Sequence, residues 1–177
     1  MLLELYVENI FEERSQSDIL DTGNPEAGIS SETWDDWFKT WLQELEANLP
    51  PAASYEIGLR LTDDAEIQEL NSQYRHQNKP TDVLAFAALE VDFPQLDNLI
   101  DSTPLYLGDI IVSIDTATRQ AQQQSHKLST ELAWLSAHGL LHLLGWDHPD
   151  DESLSLMLEQ QVKLLRTIGI SIDILDF

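Results

Sequence analysis

The sequence predicts an α+β domain: a mixed sheet of about four strands packed with about five helices. Two observations carry that expectation. Segments that alternate with a period of two interleave with segments whose apolar residues recur at helical spacing. The 177 residues, 42% hydrophobic and 23% charged, also suit a single soluble domain with a real core.

Taken in order, Leu2 to Val7 reads as a short strand, with Leu3, Leu5 and Val7 on one face and Leu2, Glu4 and Tyr6 on the other. Residues 12–31, with the string SQSDILDTGNPEAGISS, are poor in apolar residues and without a period. A mobile acidic insertion is expected there. Ser31 or Thr33 then opens a helix to about Asn48, stopped by Pro50-Pro51. Its apolar stripe of Trp34, Trp37, Phe38, Trp41, Leu42 and Leu45 reads as core packing. Tyr55 to Leu61 is the next strand, and Thr62 is expected to cap a helix from Asp63 to Gln73. Asp82 to Ala87 and Leu107 to Ile114 read as two further strands, the second almost wholly apolar and so buried. Residues 90–103 between them read as a loop. Asp115 is expected to cap a helix ending near Gln124, and Ser129 with Thr130 to start a long helix that Gly145 ends. A last helix spans Glu152 to Thr167, and Ile170 to Leu175 is an apolar tail.

The charge narrows the partners. Nine Lys+Arg against 32 Asp+Glu give −23, and even residues 57–177 carry −12. Long-range steering of RNA or anionic lipid works against such a field, so RNA contact requires a local basic residue, a metal ion or a partner protein. Cysteine is absent, which excludes disulfides, thiolate catalysis and Cys-ligated metals. The N-terminal stretch has no basic region and carries Glu4 and Glu8 within its apolar run, so a cytosolic protein without membrane partners is expected.

Chemistry concentrates in Ala137-His138-Gly139-Leu140-Leu141-His142-Leu143-Leu144-Gly145-Trp146-Asp147-His148. His138 and His142 stand four apart on a helix, one turn above each other on the same face. Gly145 can supply the left-handed residue that turns the chain back, aiming His148 at the same point. Three converging imidazoles make a zincin-like metal site at the end of a central helix, with a Zn²⁺ position left open to water or substrate. Such a site activates water and polarises a phosphoryl or carbonyl oxygen. The histidine spacing is also that of metzincin proteases, which place Glu beside the first histidine as general base. Here that place is Gly139, and Met157 falls in a helical pattern, not a Met-turn. His76 and His126 lack partners at ligand spacing and are expected to be exposed.

HGLLHLLGWDH resembles the signature of the YbeY family of metal-dependent endoribonucleases, usually H-G-x-L-H-L-x-G-Y-D-H. Leu70-Asn71-Ser72-Gln73-Tyr74-Arg75 followed by Lys79-Pro80-Thr81-Asp82-Val83-Leu84 is similar to that family's L-N-x-x-Y-R…K-P-T-D-V-L-S-F-P, and Leu107-Gly108-Asp109-Ile110-Ile111 to its L-G-D-I-x-I strand. The departures are Trp146 for tyrosine, Ala85 and Ala87 for serine and proline, and the acidic stretch near residues 12–31. The resemblance covers about residues 55–150 and implies a single YbeY-like domain over residues 1–177. It further implies a single-strand endoribonuclease of the cytosol, acting in small-subunit rRNA 3′-end maturation and ribosome quality control.

By the same resemblance, His138, His142 and His148 are ligands of one Zn²⁺ per chain, and Arg75 is the basic residue facing substrate. A guanidinium there can hydrogen-bond a phosphate oxygen in two places at once. Lys79 is a second candidate for substrate contact. Asp147 is the nearest acid for orienting a ligand or accepting a proton, a plain turn residue being its alternative. No residue is assigned as general base. Ribosomal RNA, the small ribosomal subunit, and a ribosomal protein or ribosome-associated GTPase that offsets the acidity are the expected partners. Two other readings stay open: a non-catalytic, metal-stabilised ribosome-assembly factor, and a metalloprotease-like hydrolase, against which Gly139 argues.

Overall fold

The computed structural model describes residues 2–11, 29–88 and 103–173. In chain order these form β1 (Leu2–Asn9), α1 (Ser31–Glu44), a single 3₁₀ turn (Glu46–Asn48), β2 (Ser54–Thr62), α2 (Asp64–Arg75), β3 (Val83–Ala87), β4 (Leu105–Ser113), α3 (Ile114–Gln124), α4 (Leu128–Leu143) and α5 (Asp151–Thr167). The strands make one mixed sheet in the order β1-β2-β4-β3. β1 and β4 both run parallel to β2, and β3 is antiparallel to β4. The α+β architecture is the one the alternation of periods predicts.

The main core lies between one sheet face and the helices. Leu3, Ile57, Leu59, Ile110 and Val112 pack with Trp34, Phe38 and Trp41 of α1, Leu132 and Leu140 of α4, and Leu164 of α5. Burying each such side chain contributes roughly 1.5–3 kcal/mol. The tryptophan stripe of α1 is therefore core, and the Trp41 indole N–H donates to the Leu164 carbonyl at 2.9 Å. On the other sheet face Ile67 and Leu70 of α2 pack with Leu84, Phe86 and Ile111.

β4 carries a bulge. Glu56 pairs with Tyr106 but Ile57 with Gly108, leaving Leu107 as an extra residue. The alternation changes parity there, so that Leu107 and Ile110, three apart, both face the main core. Gly108 adopts φ +137°, and a Cβ on it would lie 2.2 Å from the Phe86 carbonyl oxygen. Only glycine fits this crossing.

Helix starts differ from expectation by one to three residues. Ser30 caps α1 by accepting from the Thr33 N–H, in place of Ser31 or Thr33. Asp63 caps α2 through the Glu66 N–H, because Thr62 is still the last, buried residue of β2. Ser113 caps α3 through Thr116, while Asp115 accepts from the Asp64 N–H of the neighbouring helix. α4 begins at Leu128 behind Lys127 with no side-chain cap, so Ser129 and Thr130 lie inside its first turn. α5 begins one residue before the expected Glu152, closed by a capping box between Asp150 and Ser153.

Of the acidic stretch expected to be mobile over residues 12–31, residues 12–28 lie outside the described residues. Of the rest, Ile29 packs against the core and Ser30 caps α1. The loop expected at 90–103 lies outside them except for Thr103, as do the last residues of the apolar tail. Ile170 and Ile172 of that tail pack on the core. Among the described residues, no helix is long and apolar enough to cross a membrane.

Candidate metal centre

α4 is apolar on every side, with Leu132, Trp134, Leu135, Leu140 and Leu141 all buried, as a helix central to the fold must be. It lies directly on the sheet at Gly139, where a Cβ would come 2.7 Å from Cγ2 of Ile110. The next turns carry His138 and His142 on one face. The helix then closes through a left-handed Gly145 at φ +96°. The Gly145 and Trp146 N–H groups return to the carbonyls of His142 and Leu141 at 3.1 and 3.0 Å, a Schellman closure. The reversal brings His148 over the other two rings.

The three imidazoles converge. Ring centroids are 4.5 Å apart for His138 and His142, 5.6 Å for His138 and His148, and 5.3 Å for His142 and His148. One ring nitrogen from each lies within 4.8 Å of the others, and the Nε2 atoms of His138 and His142 are 3.0 Å apart. Burial holds the proton affinity of both helical histidines down. His142 falls to about 4, with the nearby His138 and His148 adding to the effect. His138 is lowered too, though its bond to Gln161 and the charge of Asp82 pull the other way. Both rings are therefore neutral at pH 7, the state that can donate a lone pair to a metal. Neutral, closely grouped nitrogen donors suit a borderline cation such as Zn²⁺, so the residues fit the expected metal.

These rings floor a cleft of about 630 Å³, also lined by Arg75, Asp82, Ala85, Trp146 and Asp147. Arg75, the last residue of α2, donates from Nη2 to the Ala85 carbonyl at 2.8 Å and lies 5.6 Å from the centre of the Phe86 ring. Its neighbours are thus a carbonyl and an aromatic face, and it lines the cleft with guanidinium donors to spare. Asp147 lines the cleft and also accepts from the His148 N–H at 2.8 Å, so it both shapes the turn and faces the site. Lys79 does not line the cleft. Its carbonyl accepts from Asn71 at 3.0 Å, and the residue is exposed.

His76 is exposed, as expected, at the left-handed end of α2. His126 is not: it is half-buried against the carboxylate of buried Glu131. The pairing depends on the turn between α3 and α4, which sequence spacing does not reveal.

Two residues of the site were not anticipated. Asp82 lines the cleft, with its carboxylate held by the Val83 N–H at 2.7 Å and the Gln120 amide at 3.2 Å. Gln161 of α5 is fully buried and places Oε1 2.9 Å from Nδ1 of His138. Its signal was present as a polar residue on the apolar stripe Met157, Gln161, Leu164, Leu165.

The family model for Endoribonuclease YbeY matches residues 20–169. The chain belongs to the YbeY family. Its relatives include proteins named Endoribonuclease YbeY from Trichormus variabilis, 64% identical over 97% of this chain and 97% of the relative, and from Nostoc sp., 63% identical over 97% and 93%. One from Synechocystis sp. is 50% identical over 87% and 88%. A solution structure of a Thermotoga maritima protein shares the fold, with a TM-score of 0.51 at 22% identity, covering 93% of this chain and 89% of that one. Two of the three motifs that suggested the YbeY family line the cleft: His138, His142 and His148 floor it and Arg75 stands at its wall.

Proposed function

We propose that this chain is a hydrolytic, single-strand-specific endoribonuclease that binds one Zn²⁺ at His138, His142 and His148. Its substrate is small-subunit ribosomal RNA, in 3′-end maturation and ribosome quality control. The observation that carries the reading is one cleft holding three converging imidazoles and an arginine free to meet phosphate. Zn²⁺ bound there would supply Lewis-acid and water-activating chemistry at phosphorus.

The chain's own residues supply the rest. Arg75 would bind a non-bridging phosphate oxygen, its planar fork fixing the phosphate in line for attack. Phe86 and the Ala85 carbonyl hold that fork from behind. Asp147, on the rim, is the carboxylate available to take a proton from an attacking water. Trp146 offers an aromatic surface beside the site, on which an unpaired base can stack. A duplex cannot present such a base, which supports single-strand preference.

The acidic surface repels bare RNA, so the reading of a cytosolic ribosome-maturation enzyme includes delivery by the small subunit, through a ribosomal protein or a ribosome-associated GTPase. The metalloprotease alternative needs a carboxylate beside His138, and the contact of Gly139 with Ile110 leaves no room for one. The test is cleavage of matched single-stranded and duplex RNA by purified protein loaded with Zn²⁺. Cleavage of the single strand only, abolished by His138→Ala, is expected. A metal-loaded protein that binds small subunits yet cleaves no RNA would favour a non-catalytic assembly factor.

A further inference from the structure

Gln161 reaches the metal centre from a different helix and makes two contacts there. Its Oε1 lies 2.9 Å from Nδ1 of His138, and its Nε2 donates to the Trp134 carbonyl at 3.3 Å. Trp134 precedes His138 by one helical turn, so the amide spans the base of the ring it touches. A carbonyl can only accept, so the NH₂ end of the amide must face Trp134 and the oxygen must face the ring. An amide oxygen also only accepts. Nδ1 of His138 therefore carries the hydrogen, and Nε2 carries the lone pair.

Nε2 of His138 faces Nε2 of His142 at 3.0 Å, so the lone pair left on His138 points towards the group that the three rings share.

We propose that Gln161 is a positioning residue of the metal centre, selecting the Nδ1–H form of His138 so that Nε2 is committed to the metal. This rests on reading the three histidines as a metal site. The amide is uncharged, so it orients the ring without adding negative charge where an RNA phosphate approaches. It also ties α5 to the site: the helix that buries Met157, Leu164 and Leu165 in the core holds the ligand in register.

The test uses the full chain and Zn²⁺ or Co²⁺ alone as probe. Long-range ¹H–¹⁵N NMR of the unsubstituted protein should show His138 protonated at Nδ1, with and without Zn²⁺; protonation at Nε2 in the metal-free protein would overturn the proposal. Competition with a chromophoric chelator then compares Gln161→Leu and Gln161→Glu. Both lose the donor to Trp134, so both should melt lower than the parent when metal-free. Only leucine lacks an acceptor for His138. Gln161→Leu should bind metal roughly 10–100-fold more weakly, the usual cost of losing such a partner, and Gln161→Glu should recover to within a few-fold of the parent.

Equal weakening in both variants would reduce Gln161 to packing. Should Gln161→Leu fail to fold, the NMR result and Gln161→Glu still decide. If the unsubstituted protein binds neither ion, the metal-centre reading itself fails, and that is seen before any variant is made.

Discussion

Gly139 is pressed against Ile110: a methyl group on its Cα would sit 2.7 Å from Cγ2 and 3.2 Å from Cγ1 of a fully buried side chain. The contact sets how deeply α4 lies on the sheet, and therefore the height of His138 above β4. Gly139→Ala should gain about 1 kcal/mol of helix propensity and lose more to overpacking, typically 1–3 kcal/mol. Denaturant unfolding should show a lower midpoint with an unchanged slope. A variant as stable as the parent would mean that the helix can lift off the sheet without cost.

Metal content follows from the three-histidine geometry. Purified protein should carry about one transition metal per chain in the open-site stoichiometry of three protein ligands. His142→Ala, which removes one of the two Nε2 donors that stand 3.0 Å apart, should lose it. Elemental analysis after dialysis distinguishes the outcomes, and an unsubstituted protein that stays metal-free in added Zn²⁺ removes the mechanism.

Arg75 separates activity from stability. Its bond to the Ala85 carbonyl contributes only about 1 kcal/mol, so Arg75→Glu should leave the melting temperature and metal content nearly unchanged. RNA cleavage should fall on the order of 10²-fold or more, the usual loss when a donor to the reacting phosphoryl oxygens goes. Arg75→Lys should restore part of the rate, keeping charge but losing the fork. A large loss of stability with normal cleavage per folded molecule would make Arg75 a structural residue.

The lowered proton affinity of His142 has a consequence for pH. The ring titrates near 6.5 when unfolded and at about 4 in the fold. Between those values the unfolded chain binds more protons, so the neutral ring's contribution is complete above about 6.5 and is lost as pH falls towards 4. Comparison with His142→Asn, which does not titrate, removes the effect of the other acids. In chelator, the parent's stability relative to that variant should decline over this range. A flat difference would show that His142 is not held neutral.

Charge outside the site should matter for encounter. Replacing the five acids of residues 12–28 by their amides should tighten binding of single-stranded RNA at low ionic strength, with the effect fading as salt screens the field. Affinity unchanged at every salt concentration would show that these acids do not face the path of RNA.

Much of this was legible because the informative patterns are local. The i,i+4 pair His138 and His142, the helix stop at Gly145 and the return of His148 lie within eleven residues, so helical geometry alone brings the rings together. The tryptophan stripe and the alternation of β1 and β2 were readable for the same reason. Gln161 reaches His138 only through packing of α5 on α4, and His126 meets Glu131 only across a turn. The β4 bulge was hidden because a strand apolar on both faces shows no parity to break. Caps were misplaced wherever two candidate polar residues stood together, as at Thr62 and Asp63, since the choice depends on where the strand's pairing ends.

The five tryptophans are divided between the interior and the cleft. Trp34, Trp41 and Trp134 are buried and Trp37 packs beside them, whereas Trp146 is half-buried at the wall of the cleft. The molecule therefore carries two separable optical signals. Emission from the interior cluster reports whether the chain is folded, and emission from Trp146 reports what occupies the cleft. Trp146→Phe would silence the second and keep the first, so that ligand titrations and unfolding curves can be read from the same cuvette without any added dye.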